Sequence, residues 1–223
     1  MASDPLPGYT YNPDTQRYRN LNTGRFVARR EITNLLDAQV SSAESRLHEL
    51  ATAYHEGRIA PSVWVEQMRT EVRRLEIQQI SLAKGGFDQL SQRDFGRAGA
   101  SLREQYARII GTAQDVQDGK VTLPQLLNRI DGYVGEGRKL YYQTQRDNAG
   151  TGDADMTTIA RRRLDPAAAH CPQCPEYYDR GWVMAGEVVA PGESCQCGSH
   201  CRCSVDYRDV PTSELGDWLG SKR

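Results

Sequence analysis

The chain has 223 residues, is 38% hydrophobic and 26% charged, and carries a formal net charge of −1 at pH 7. That balance excludes attraction to nucleic acid or a membrane surface through bulk charge. No apolar run approaches the ~20 residues that a membrane span needs. Three phenylalanines against 11 tyrosines point to helices with wet edges or partner-contacting surfaces.

Residues 1–30 read as an extended N-terminal arm. Pro5, Pro7, Gly8 and Pro13 oppose an early helix. The opening MASDPLPGYTYNPD has neither the basic stretch nor the apolar run of a secretory leader. From Tyr18 to Val27 two short extended pieces flank an Asn22-Thr23-Gly24 turn. Arg17, Arg19, Arg25, Arg29 and Arg30 interleave with aromatics, as in a nucleic-acid-binding arm. Without lysines or a longer basic run, docking on its own domain or on a neighbouring subunit is the favoured expectation.

Residues 31–150 predict an α-helical, bundle-like domain. Ile32, Leu35, Leu36, Ala43, Leu47, Leu50, Ala51 and Tyr54 form one apolar stripe that Gly57 ends. His48 and His55 share a face, but Thr52 stands where a zinc-protease helix needs its second histidine, so both read as solvated. Pro61 opens a second helix, Trp64, Met68, Val72, Leu75 and Leu82 mark its buried side, and Gly85-Gly86 ends it. After a short segment from Phe87 to Phe95, Gly96 and Gly99 predict a close approach between helices. A third helix runs through Leu102, Tyr106, Ile109, Ile110, Ala113 and Val116 to Asp118-Gly119. Thr122 is the N-cap of a fourth, with Pro124 just inside and Leu126, Leu127, Ile130, Tyr133 and Val134 along it. Gly132, Gly135 and Gly137 each weaken that helix by up to ~1 kcal/mol relative to alanine, which predicts tight packing or a bend.

Residues 151–164 read as a linker followed by a basic segment, Thr157 to Leu164, that includes Arg161-Arg162-Arg163. Residues 165–223 read as a small cysteine-rich module and a tail. Gly181–Met184 and Glu187–Val189 are expected to pair as a hairpin, and Trp218 with Leu219 to anchor a last helical turn.

All six cysteines lie between Cys171 and Cys203. The knuckle Cys171-Pro172-Gln173-Cys174 can grip one tetrahedral ion from a single turn, and Cys195 to Cys203 supplies further thiolates, the soft donors that suit zinc. The expected site is one structural Zn2+ held by Cys171, Cys174, Cys197 and Cys201. Cys203, Cys195, His200 and His170 are substitutes in that order. Three disulfides and an iron–sulfur cluster are the competing uses. Confinement to one short end argues against the first, and the Cys197-x3-Cys201-x-Cys203 spacing against the second. Too small to bury a stable core alone, the module would draw its missing stability from the metal.

The succession Arg58-Ile59, Trp64, Met68-Arg69, Gly85-Gly86, Leu102-Arg103-Glu104-Gln105-Tyr106 and a Cys201-Arg202-Cys203 finish resembles tailed-bacteriophage minor head or head-morphogenesis proteins of the Mu gpF-like group. The run Tyr18 to Val27 is likewise similar to phage structural sequence. That family ends in a Cys-x2-Cys knuckle, then a His or Cys, then Cys-Arg-Cys. Here Cys197 stands where a histidine is usual, four residues before Cys201, and His200 is out of register. The resemblance implies a structural protein of the phage head, made in the host cytoplasm and placed in the virion. It would bind capsid or portal proteins, as a homo-oligomer. The alternative is a zinc-dependent nucleic-acid-binding protein touching packaged genome through Arg161, Arg162, Arg163 and Arg202. An enzyme is not expected, because no phosphate-binding Gly loop, Ser/His/Asp set or paired acids on one face can be found.

Overall fold

The computed structural model describes residues 8–12, 17–150 and 153–221. Pro5, Pro7 and Pro13 of the expected arm lie outside the described residues. The chain is mainly α, with six α-helices among the described residues and a small antiparallel sheet beside the cysteine-rich end.

Four long helices form the body: α1 (Arg29–His55), α2 (Pro61–Lys84), α3 (Gln92–Gln117) and α4 (Leu123–Asp147). Helices α2 and α4 pack against each other, and each also against α1 and α3. The predicted stripes meet in one core of Leu47, Trp64, Met68, Ile109, Leu126 and Ile130, all fully buried. The rings of Tyr54 and Trp64 stack at 4.8 Å, joining α1 to α2.

Local chemistry sets the helix ends. Pro61 begins α2 where its missing N–H costs nothing. Gly85 ends it in the left-handed region, φ 100°. Helix α3 starts earlier than its apolar pattern suggests, because Ser91 and Asp94 form a reciprocal cap. The Ser91 N–H donates to the Asp94 carboxylate at 2.9 Å. Gly96 and Gly99 therefore lie inside α3, where a Cβ on either would meet nothing within 4 Å. The close approach expected at Gly96 and Gly99 does not occur, whereas the tight packing expected at Gly132, Gly135 and Gly137 of α4 does.

The arm folds onto its own domain. Strands β1 (Tyr9–Asn12) and β2 (Arg17–Asn20) pair antiparallel. Tyr18 donates its hydroxyl to the Leu82 carbonyl at 2.8 Å, and Tyr9 to Glu31 Oε1 at 2.8 Å. The Tyr11 ring lies so close over Gly85 that a Cβ there would overlap it. Arg17 and Arg19 lie over the Phe26 ring, 4.5 and 5.0 Å from its centre, and are thus occupied within the arm.

The cysteine-rich end differs from its sequence reading in two respects. Residues 156–163, expected to belong to a linker and basic segment, form β3 (Met156–Arg163), the middle strand of a sheet. All of β3 pairs with β5 (Ser204–Pro211), and Ile159-Ala160 pair with β4 (Val183–Met184). The expected hairpin to Glu187–Val189 does not form, since Ala185–Glu187 turns as a 3-10 helix. Side chains alternate along a strand, so Arg161 and Arg163 share one face and Arg162 takes the other. A run of three arginines hid that alternation. Short helices α5 (Gln173–Asp179) and α6 (Leu215–Trp218) complete the fold.

Candidate metal centre

Three adjoining pieces bring the sulfurs together. Cys171 and Cys174 flank the entry to α5, where the Cys174 N–H closes a turn onto the Cys171 carbonyl at 3.1 Å. From Cys195 to Cys201 successive tight turns follow: Gly198 N–H to the Cys195 carbonyl at 2.9 Å, His200 to Cys197 at 3.0 Å, Cys201 to Gly198 at 3.1 Å. Cys203 immediately precedes β5. Gln173 clips the pieces together, its Oε1 accepting from the Gln196 N–H at 2.9 Å.

Helix α4 is the seat. A Cβ at Gly135 would overlap the Ser199 carbonyl oxygen, and one at Gly132 would lie 3.3 Å from Ser199 Oγ. Absence of side chains at these positions lets the Gly198–His200 turn lie directly on the helix. Gly137 opens the other side of α4, toward Leu75 of α2. Below the turn, Arg146 of α4 grips both carboxylate oxygens of Glu193, Nη2 donating to Oε1 at 2.8 Å.

The sulfurs are inward and close. Cys174 and Cys203 are fully buried, Cys201 and Cys195 nearly so, and Cys171 and Cys197 half-buried. From Cys174 Sγ the distances are 3.6 Å to Cys171, 3.8 Å to Cys197 and 3.8 Å to Cys201. A disulfide needs about 2.05 Å. A tetrahedral ion with metal–sulfur bonds of about 2.3 Å sets its sulfurs about 3.8 Å apart, and these spacings match it. The Sγ atoms of Cys171, Cys174, Cys195 and Cys197 all lie within 4.8 Å of one another. Of the four residues chosen from sequence, Cys171, Cys174 and Cys197 belong to this quartet. Cys201 adjoins it through Cys174, and Cys195, ranked as a substitute, is the fourth member. The cluster could hold a metal ion.

Electrostatics point the same way. Burial pushes the Cys174 thiol well above its ordinary value, and the charge of Cys201 adds to the push. Cys201 rises to about 12, first through its hydrogen bond to Cys203 and then through burial, with Arg162 pulling the other way. Cys203 is instead lowered by its hydrogen bond with Cys201, and Cys171 is lowered despite burial by hydrogen bonds within the cluster. A bound cation would let the raised thiols ionise beside these, since a coordinated thiol loses its proton outright.

Arg162, missed from sequence, is the cation already there. Only 1% exposed, it directs Nη2 at Cys201 Sγ (3.1 Å) and at Cys174 and Cys195 Sγ (both 3.9 Å). Its Nη1 donates to the Val189 carbonyl at 2.6 Å. The flanking arginines are also engaged, Arg161 with Asp206 and the Trp182 ring, Arg163 with Asp206. The run from Ile159 to Arg163 shows no alternation of apolar and charged residues, so the sequence carries no signal for the buried one.

Of the histidines, His170 lies at the cluster, its Nδ1 3.8 Å from Cys203 Sγ. His200 packs on α4, with Nε2 3.5 Å from where a Gly132 Cβ would lie. His48, expected to be solvated, instead binds Asp131 Oδ1 at 2.6 Å across α1 and α4, and Glu44 completes a second group of potential ligands.

No family model matches the chain, and no curated protein or solved structure matches it either.

Proposed function

We propose that this chain is a structural protein of a tailed-phage head, a minor capsid or head-morphogenesis protein, whose C-terminal module is held by zinc. The zinc part is carried by one observation: the sulfurs of Cys171, Cys174, Cys195 and Cys197 all lie within 4.8 Å of one another. Four thiolates fill the tetrahedral shell of one ion, which is the signature of a structural site. Cys171, Cys174, Cys195 and Cys197 are the ligands this reading assigns.

The head-protein part rests on the resemblance of the helical motifs and of the Cys-x2-Cys to Cys-Arg-Cys finish. Apolar side chains left on the surface suit binding to neighbouring head proteins. Phe87 and Phe95 meet edge to face at 5.8 Å while both remain exposed, and Leu21 projects from the arm. Burial of Arg162 against the sulfurs weakens the nucleic-acid alternative, while Arg163, paired with Asp206, and Arg202 stay exposed.

Quantitative mass spectrometry of purified virions and of assembling heads tests this reading. The protein is expected in particles at a fixed, small number of copies relative to the major capsid protein. Its absence from both kinds of particle would overturn the proposal.

A further inference from the structure

We propose that the cysteine cluster is a dinuclear centre in which Cys174 bridges two ions of a thiophilic divalent metal, zinc in the first instance. The proposal rests on the zinc reading above and extends it. The first ion takes Cys171, Cys174, Cys195 and Cys197. The second takes Cys174 again with Cys203 and His170, and Cys201 is its fourth donor.

Donor count comes first. One tetrahedral ion uses four ligands, yet the remaining donors are not surface spares. Cys203 is fully buried and Cys201 is 4% exposed, and both lie in the same buried cluster as the quartet rather than on the surface. Geometry sorts the donors into two sets. Beside the quartet, the ligand atoms of His170, Cys174 and Cys203 also lie within 4.8 Å of one another. Cys174 alone belongs to both sets, and its sulfur lies 3.8 Å from Cys201 as well as from Cys197. A thiolate has lone pairs enough to serve two metals, so a hub of this kind is what a bridging ligand requires.

The tautomer of His170 supplies an independent observation. Its Nε2 lies 2.8 Å from the Asp165 carbonyl oxygen. A carbonyl only accepts, so Nε2 carries the hydrogen. In the neutral ring Nδ1 is then a bare lone pair, on the side of Cys203 Sγ. A backbone carbonyl fixing the ring in this way is the usual outer support of a metal-bound histidine.

Charge completes the argument. Two divalent ions against six thiolates leave a double negative charge, of which Arg162 cancels half. Its Nη2 reaches Cys195 of the first set, Cys201 of the second and the shared Cys174, which places the guanidinium against both halves of the centre.

The test is zinc content per chain, by plasma mass spectrometry, of full-length protein purified without chelator. Cadmium-113 NMR of the cadmium-exchanged protein accompanies it. Two ions per chain are expected, with two cadmium resonances, one shifted by a nitrogen ligand. The double variant His170→Ala/Cys203→Ser should keep one ion and one resonance, and Cys174→Ser should lose both. Two ions in the double variant would overturn the second site as assigned to His170 and Cys203. One ion per chain in the folded wild-type protein would overturn the dinuclear centre and leave the single structural zinc standing. No ion at all would overturn both.

Discussion

Arg162 and Glu76 are the two buried charges whose surroundings most constrain the protein. Arg162 hydrogen-bonds the sulfurs without touching a metal, so its loss should act through ligand charge and position. Outer partners of metal ligands are typically worth 10–100-fold in affinity. Arg162→Leu is expected to weaken zinc binding by about that range, read by competition with a chromophoric chelator, and Arg162→Lys to recover part of it.

Glu76 is fully buried between α2 and α3. Its Oε1 accepts from Ser101 Oγ at 2.6 Å and from the Gln105 amide. Its Oε2 and the Oε1 atoms of Gln79 and Gln105 are buried acceptors without a donor. Such a pocket favours a carboxyl that keeps its proton. Burial raises the Glu76 pKa to about 7, and the charge of Glu136 adds to it. The folded value therefore lies above the unfolded one. The stabilising contribution is complete below about pH 4.5 and is lost as pH rises through 7. For a shift of that size the loss is on the order of 3 kcal/mol. Glu76→Gln should flatten this part of the pH dependence and leave the protein more stable than wild type at pH 8, as urea midpoints at several pH values would report.

At the scale of elements, α4 does two jobs that its glycines reconcile. It packs Leu126, Ile130 and Val134 into the helical core while giving Ser199 and His200 a bare surface to lie on. Gly135→Ala would force the Ser199 carbonyl away, and overpacking of this kind costs about 1–3 kcal/mol. Gly96→Ala, in open space on α3, should instead stabilise by about 0.5–1 kcal/mol. Thermal unfolding of the two variants separates a glycine needed for contact from one merely tolerated in a helix.

The contrast between Gly96 and Gly135 also shows where sequence reading succeeds. The helices were legible because apolar residues at steps of three and four, Pro61, Gly85 and Thr122 are local signals. The cysteine cluster was legible because six thiols in one short stretch have few physical uses. Tight packing at the α4 glycines was legible, but what meets them was not, since Ser199 comes from a distant part of the chain. Strand β3 was masked by its arginines, and the burial of Arg162 makes sense only once the sulfurs face it. The same holds for Cys195 against Cys201: spacing brings both within reach, and only the fold arranges the quartet.

At the scale of the molecule, the cysteine-rich end is fastened to the helical body at several points. Ser199 lies on α4, Glu193 is held by Arg146, and Ala190 joins a core with Tyr18, Leu82, Tyr141 and Tyr142. That core also receives the N-terminal arm. On the proposed metal reading, loss of the ion would release the turns seated on α4, whereas α1, α2 and α3 stay joined to α4 through Leu47, Trp64, Ile109 and Ile130. Hydrogen–deuterium exchange of the full-length protein, with and without a strong zinc chelator, tests the metal-held module most directly. The account predicts that chelation removes protection from 165–203, from β3 and β5, and from the α4 turns beneath Ser199, while α1 to α3 remain protected. Unchanged exchange across 165–203 after complete metal removal would contradict it.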